Sequence, residues 1–594
     1  MPSFAPMQSM SQGQGRPAWG PLLATALPPL LAYNLTPSAT LFNQLLALGA
    51  WGAALWLWPV ASVGQSQRGG IAAMRAAVLA LLLLLGSALL SPWLNDLPMS
   101  LAWQAGALLV AALLVLQYGA RLGPGGTGSA PSLWAGFCWG LLAAGLLSLL
   151  IGVIQVFAPQ LADGNLIARS GIAGRAVGNL RQPNHLASLL MWACVAAVWL
   201  SAAGQLGRRS RPWLLPVLLF ALVFGVVLSA SRTGMLGVVL LALWGLLDRR
   251  LPRAERWALM ATPLMLALSW AALSGWSHAS GQAFGAESRL AEGAGSPSRL
   301  AILANAWTLL KMHPWTGVGW GEFNLAWSMT PFPDRPVAFF DHTHNIVMQL
   351  LVELGWPLGL LVLGLLAGAV AAAWWASRCA QGELALIKRC AFMVVLMIGL
   401  HSLLEYPLWY AYFLLPTLFA LGVCLAPEPA REPALGARPG TAPTLLRLGG
   451  VLMLAGSTLA VWDYLRVVDI YMPPAKAASL ESRIERGQGS LFFSTQADYA
   501  AATTWIPGPL ALEAAQRTAH NLIDVRLMMA WAKSLNASGD VERARYVVAR
   551  LREFRSKQGE EWLLECEALR EAGIRDLPFQ CEPPARDFGY REMR

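Results

Sequence analysis

A run of about 20 mostly apolar residues can carry a helix across the hydrocarbon core of a membrane, and this sequence returns to such a run thirteen times. The runs cover 19–35, 41–60, 71–90, 99–118, 133–157, 186–203, 213–228, 231–247, 257–273, 357–376, 391–404, 408–425 and 445–462. They set the fold class: an all-α polytopic membrane protein. Inside a bilayer each backbone amide has to be satisfied within its own segment, and helices do this. Only 13% of the residues are charged, about half of what a soluble domain carries. Several runs are short. The eighth opens at a helix break near Ser231, which also fits a tilted or partly re-entrant segment. No signal-peptide cleavage pattern precedes the first run, so an uncleaved anchor is expected.

The connections between runs give direction. Alternate loops hold Arg68; Arg121; Arg208, Arg209 and Arg211; Arg249, Arg250, Arg253 and Arg256; Arg378, Lys388 and Arg389; and Arg431 and Arg438. The positive-inside rule places this set in the cytoplasm. The net charge of +10 then reads as an orientation signal rather than a nucleic-acid surface. Residues 1–18 form a cytoplasmic tail. Residues 19–462 form the transmembrane domain, with a long periplasmic loop at 274–356. After an odd number of spans, 463–594 becomes a small helical periplasmic domain. In it, 510–537 and 541–555 carry helical patterns separated by Ser538-Gly539-Asp540; no clear repeat accompanies them, so a tetratricopeptide reading is weak. The seven cysteines have no metal-ligand spacing. Cys566 and Cys581 fall in the tail, where an oxidising compartment predicts a disulfide.

Some cations sit on the outer side, against the orientation rule: Arg169, Arg175, Arg181, Arg232, Arg289, Arg299, Lys311 and Arg335. Binding an anion is one reason to keep them there. Pairing with local acids such as Glu287, Glu292 and Asp334 is the other, and for Arg169 and Arg289 the two readings balance. Four polar clusters share this face. Gly178 to His185 combines Arg181, Asn184 and His185 at the opening of the sixth run. Ser231-Arg232-Thr233-Gly234 opens the eighth. Asp341-His342-Thr343-His344-Asn345 leads into the tenth. His401, Glu405 and Tyr406 close the eleventh. In addition, Ser298-Arg299 precedes an apolar segment with Trp307. A histidine at a water–membrane boundary can take a proton near neutral pH; a solvated or capping histidine is the plainer alternative. Zinc usually needs three or four defined ligands, and no third histidine lies near His342 and His344.

These segments, with Glu405-Tyr406-Pro407-Leu408-Trp409, resemble the O-antigen ligase and polymerase superfamily. They are most similar to its protein O-oligosaccharyltransferase branch, the PglL type. The resemblance runs from about the fifth run to the last and rests on the ordered set of motifs. It implies a multi-helix inner-membrane glycosyltransferase acting on glycans linked to undecaprenyl diphosphate, with no metal and no cofactor. It implies that His344 is the catalytic base, that Arg232 and Arg299 hold the donor diphosphate, and that Tyr406 is functional. Arg181 is expected on the donor diphosphate too. Asn184, His185, His342, Asn345 and Glu405 are supporting residues; the resemblance assigns no role to His342 or Glu405. The expected acceptor is a Ser or Thr hydroxyl of a periplasmic or pilin-like protein. A sugar hydroxyl, as for an O-antigen ligase or polymerase, is the first alternative. A transporter of lipid-linked glycan is the second, but it calls for charges near the midplane and internal repeats, and these charges gather at one face.

Overall fold

The computed structural model describes residues 18–58, 68–121, 130–207, 210–287, 297–333, 335–426 and 442–594. Arg208, Arg209, Arg289, Glu292, Asp334, Arg431 and Arg438, and the tail to residue 17, lie outside them. Among the described residues the structure is helical, with no strand. Seven helices are long and apolar enough to cross a membrane, or eight if the pair Arg253–Met260 and Thr262–Ser280, bent by 40°, is one span. Leu41–Leu57, Leu214–Ser229, Arg232–Leu247 and Ala411–Leu425 are shorter apolar helices. Trp19–Leu30 is shorter still. All thirteen runs therefore fall on helices, while length and composition by themselves support seven or eight spans.

The eighth run forms a regular helix, Arg232–Leu247, started by Ser231, whose hydroxyl accepts from the Gly234 amide at 3.1 Å. The tenth run belongs to a longer helix, Ile346–Cys379, kinked at Gly355. Gly355 has φ +72°, and a Cβ there would lie 2.6 Å from the Trp315 carbonyl. Both facts require glycine. The last run continues to Tyr471 as Ala442–Tyr471. It packs on Leu41–Leu57 with Gly52 against Gly450, where a Cβ on Gly450 would meet the Gly52 carbonyl at 2.5 Å. Small residues of this kind let membrane helices approach closely.

Pro183–Ala202 is the central helix. It is 94% buried and packs against Ala130–Phe157, Leu214–Ser229, Arg232–Leu247 and Gly382–Ser402. Its sequence is apolar on every side, as a helix surrounded by others has to be.

A second core lies outside this bundle. It joins Ile302, Leu309, Phe323, Trp327 and Val352 to Ile484, Leu527, Trp531, Tyr546 and Leu551. The long loop and the C-terminal region thus share one apolar interior. Polar ties reinforce it. Tyr546 donates to the Met329 carbonyl at 2.6 Å and Tyr590 to the Val318 carbonyl at 2.9 Å. Arg335, almost fully buried, pairs with Glu553 at 2.9 Å and donates to the Trp327 carbonyl at 2.6 Å.

The tail helices are Leu480–Gln488, Ser494–Thr504, Pro509–Ala519, Val525–Ala537, Val541–Glu553 and Lys557–Glu571. The pattern read as one helix over 510–537 is broken in two. Asp524 is the physical reason: its carboxylate accepts from the Leu527 amide at 2.8 Å and starts a new helix. Such a cap competes with continued helix at the same residue. Cys566 and Cys581 form a disulfide, as expected. Cys138, Cys194, Cys390 and Cys424 are buried free thiols.

Candidate active site

The site is built from helix beginnings. Pro183–Ala202, Arg232–Leu247, Pro297–Met312 and Ile346–Cys379 all start at it. Three of these starts share one local structure: a residue in the left-handed region, an extended N-cap, then helix. The triplets are Arg181-Gln182-Pro183, Ala230-Ser231-Arg232 and His344-Asn345-Ile346, with φ of +57°, +51° and +57° at their first residues. Non-glycine residues adopt this conformation at a cost of about 1–3 kcal/mol and concentrate where function needs them. Asn345 accepts from the Met348 amide at 3.0 Å and donates to the Leu403 carbonyl at 3.0 Å, tying its helix to the loop that carries Glu405.

Glu405 sits where the four starts meet. It is 5% exposed. Its Oε1 accepts from Asn184 at 3.0 Å and pairs with Arg299. Its Oε2 lies 3.4 Å from His344 Nε2. Asn184 is joined in turn to Ser231, whose hydroxyl donates to Asn184 Oδ1 at 2.7 Å. One carboxylate therefore links residues from three separated sequence motifs, and through Ser231 reaches a fourth. Helix N-termini present unsatisfied N–H groups and a positive dipole end, so their convergence favours an anion. Arg299 and Arg232 stand at two of these N-termini, Arg232 as the first helical residue and half-buried.

His344 has a defined proton arrangement. Its Nδ1 lies 3.0 Å from the His342 carbonyl oxygen. A carbonyl can only accept, so Nδ1 carries the proton and Nε2 keeps the lone pair. Burial holds the imidazole below its usual pKa, with the Arg299 charge adding to this. The Glu405 charge and the His342 carbonyl pull the other way. At neutral pH the ring is a neutral base with Nε2 open toward Glu405.

Tyr406 forms a wall of the site. The His342 ring stacks on it at 4.3 Å, and the His344 ring meets it edge-on at 5.1 Å. Burial, with the charges of Asp341 and Glu405, pushes its phenol far above the ordinary range, and it hydrogen-bonds Tyr410. The hydroxyl is therefore a neutral donor rather than a phenolate. His342 Nδ1 pairs with Asp341 at 3.1 Å.

His185 and Arg181 take different places. His185 is 2% exposed behind the site; it bonds the Tyr412 hydroxyl at 3.1 Å and packs among Tyr410 and Phe413. Arg181 donates to the carbonyls of Ala32 and Ala39, at 2.6 and 3.1 Å. It ties down the loop between the first two apolar helices; no hydrogen bond joins it to Glu405, Arg299 or His344. Ser231 and Tyr410 complete the site although sequence reasoning did not single them out as site residues. The signal for Ser231 was its N-cap position beside Arg232; Tyr410 had none. Among the described residues, no group of three His, Cys, Asp or Glu side chains is arranged to hold a metal ion.

Comparison with known proteins supports the family resemblance. Residues 176–200 match the family described as "Protein glycosylation ligase", 217–363 match "O-Antigen ligase", and 390–563 match "Virulence factor membrane-bound polymerase, C-terminal". Together the three matches contain Arg181, Asn184, His185, Arg232, Arg299, His344, Glu405 and Tyr406. Two relatives come from Acinetobacter baylyi. A general O-oligosaccharyltransferase is 28% identical over 266 residues, 43% of this chain and 44% of the relative. A ComP-specific O-oligosaccharyltransferase is 25% identical over 295 residues, 48% of this chain and 50% of the relative. The chain thus spans about half the length of the curated relatives it matches. Apolar helices and family matches together support a multi-pass membrane protein with a region similar to O-antigen ligases.

Proposed function

We propose that this chain, similar to O-oligosaccharyltransferases in sequence and built around the His344–Glu405–Arg299 cluster, transfers an oligosaccharide from undecaprenyl diphosphate to a Ser or Thr hydroxyl of a periplasmic or pilin-like protein. The observation that carries this reading is the juxtaposition itself. A neutral imidazole with an open Nε2 shares the Glu405 carboxylate with Arg299, and Arg232 begins the helix whose cap, Ser231, is bonded to Asn184 of the same cluster. Glycan transfer from a lipid diphosphate needs those two things: a base for the acceptor hydroxyl and a cationic hold on the leaving group.

The geometry supports the following steps. Arg232 and Arg299 bind the diphosphate; a guanidinium fork suits phosphate oxygens. The acceptor hydroxyl gives its proton to His344 Nε2. Its oxygen attacks the sugar C1, and the bond from C1 to the phosphate oxygen breaks. Undecaprenyl diphosphate leaves with the electron pair, its growing charge met by the arginines and the helix ends. Tyr406 donates a hydrogen bond within the site. The chemistry uses no metal ion, so transfer is expected to survive EDTA; loss restored by zinc or magnesium would revive a metal role for Asp341, His342 and His344.

Orientation belongs to the same reading. Two of the helices that start at the site, Arg232–Leu247 and Ile346–Cys379, end beside Asp248, Arg250 and Arg378; there Arg389 pairs with Asp248 at 3.0 Å and Arg250 donates to the Arg378 carbonyl. Cations at that end support a cytoplasmic placement and a periplasmic site. The location is the inner membrane, with 463–594 as a periplasmic domain. Clustering at one end speaks against a transporter, whose charges belong near the midplane.

A ligase or polymerase reading has one specific observation in its favour: the matches over 217–363 and 390–563 carry those families' descriptions. The deciding experiment is product identity with purified protein, lipid-linked glycan and either a pilin-like protein or lipid A-core. Glycan on protein supports the proposal. Glycan found only on lipid A-core, or only as longer lipid-linked chains, sinks it.

A further inference from the structure

The cluster poses a physical question that the transfer reaction alone leaves open. An anion-binding site at four helix starts already holds an anion, the side chain of Glu405. Its carboxylate is shared between Arg299 and Asn184 on Oε1 and His344 Nε2 on Oε2. A lone pair on Nε2 gains nothing from a carboxylate 3.4 Å away; the two attract only once Nε2 holds a proton. Glu405 is therefore arranged for the product of proton transfer, the imidazolium. Yet in the free protein its charge is spent on Arg299, the residue proposed to hold the donor.

We propose that Glu405 is the internal counter-anion of the donor site and couples donor binding to His344: lipid diphosphate draws Arg299 away, and the released carboxylate turns its charge on His344 and strengthens it as a base. This rests on the functional reading above. Glu405 acts here through other residues, as a positioning residue that neither gains nor loses a proton. The consequence is order. Without donor, Arg299 mutes the carboxylate and the base is weak. With donor, the base is raised at the moment a sugar C1 is present. The groups facing His344 from each packed element are Glu405, Arg299, Asp341, His342, Tyr406 and Phe340. Of these, only Arg299 and Glu405 exchange partners when a phosphate arrives.

The test reads His344 directly. Diethyl pyrocarbonate acylates neutral imidazole, and mass spectrometry of the His344 peptide follows modification against pH. The probe is undecaprenyl diphosphate without glycan, added to the full chain in nanodiscs, with its binding measured separately using labelled lipid. In the unmodified protein the lipid is expected to raise the half-point by about 1 pH unit or more, the usual effect of an opposite charge at this range. Glu405→Gln should lose most of that rise, because the diphosphate's own charge is then the sole source. Arg299→Ala should raise the half-point with no lipid present. Equal lipid-induced rises with and without Glu405 would overturn the proposal, as would no rise despite bound lipid. Failure of the lipid to bind at all would instead sink the functional reading, and this inference with it. Should Glu405→Gln fail to accumulate, Arg299→Ala alone decides: an unchanged half-point refutes the coupling.

Discussion

In the proposed reaction His344, the pair Arg232 and Arg299, and Tyr406 each have their own readout. His344→Ala is expected to reduce transfer by about 10²–10⁴-fold, the usual contribution of a positioned base, with expression and membrane insertion intact. Near-normal turnover in a purified assay would remove the base assignment. The pH profile follows from the same ring. Its active form is neutral, and burial lowers its pKa. The kcat/KM profile, which reports the donor-free ring, should therefore be full at neutral pH and fall on an acid limb below the ordinary histidine range; the limb in kcat should lie higher. A kcat/KM limb above the ordinary histidine range would contradict that burial argument. Arg232 and Arg299 differ from His344 in readout. Replacing either with Ala should weaken binding of labelled lipid diphosphate. Lys should rescue poorly, because an ammonium lacks the planar fork; full rescue would mean that charge alone suffices. Tyr406→Phe should lower activity through the lost hydroxyl while the stacked His342 keeps its wall.

At the scale of elements, the kink at Gly355 decides where the catalytic helix starts. The backbone of 315–317 lies against it: a Cβ on Gly317 would meet Glu353 backbone at 2.5 Å, as one on Gly355 would meet Trp315. Both glycines have positive φ. Gly355→Ala should therefore destabilise the protein by about 1–3 kcal/mol and displace the Asn345 cap, seen as a lower melting temperature together with reduced transfer. A variant with unchanged melting and unchanged rate would show that the crossing tolerates a methyl group. Topology is an element-scale prediction as well. Reporter fusions after Tyr471, the end of the last apolar helix, should read periplasmic. A cytoplasmic reading would remove one span and move the tail to the other side.

Among the described residues the two larger cores meet through the long loop, and a smaller cluster of Leu45, Tyr464, Val467 and Phe493 ties the last apolar helix to the tail. The second core packs the tail against that loop, and the loop carries His344. Arg335 is the main polar tie, with Glu553, the Trp327 carbonyl and the faces of Trp327 and Phe554 around it. Arg335→Ala removes the buried guanidinium from Glu553 and from the Trp327 carbonyl, while Arg550 still pairs with Glu553 at 3.0 Å; the loss expected is about 1–3 kcal/mol. Limited proteolysis should then cut the loop and tail, and transfer should fall with lipid-diphosphate binding largely kept. Protease resistance equal to the unmodified protein would mean that the apolar contacts suffice.

The sequence by itself determined the helical membrane fold, because apolar run length against bilayer thickness leaves few solutions. It also drew attention to His344, Asn345, Arg232, Arg299 and Glu405 as polar groups at the ends of apolar runs on one face, and the family resemblance supplied the roles proposed for His344, Arg232 and Arg299. The disulfide was legible from two cysteines in one small region. Tertiary structure alone decided the rest. Glu405 became the hub only when helices 221 residues apart in sequence brought Asn184 to it. Arg181 and His185 read like site residues, yet packing gave one to loop carbonyls and the other to an aromatic shell. The kink at Gly355 and the break before Asp524 were hidden because a helical pattern runs on through both. The reason is common to all of these. Apolar periodicity is a local property of the chain, whereas the partner of a buried charge is set by which helix ends meet in space.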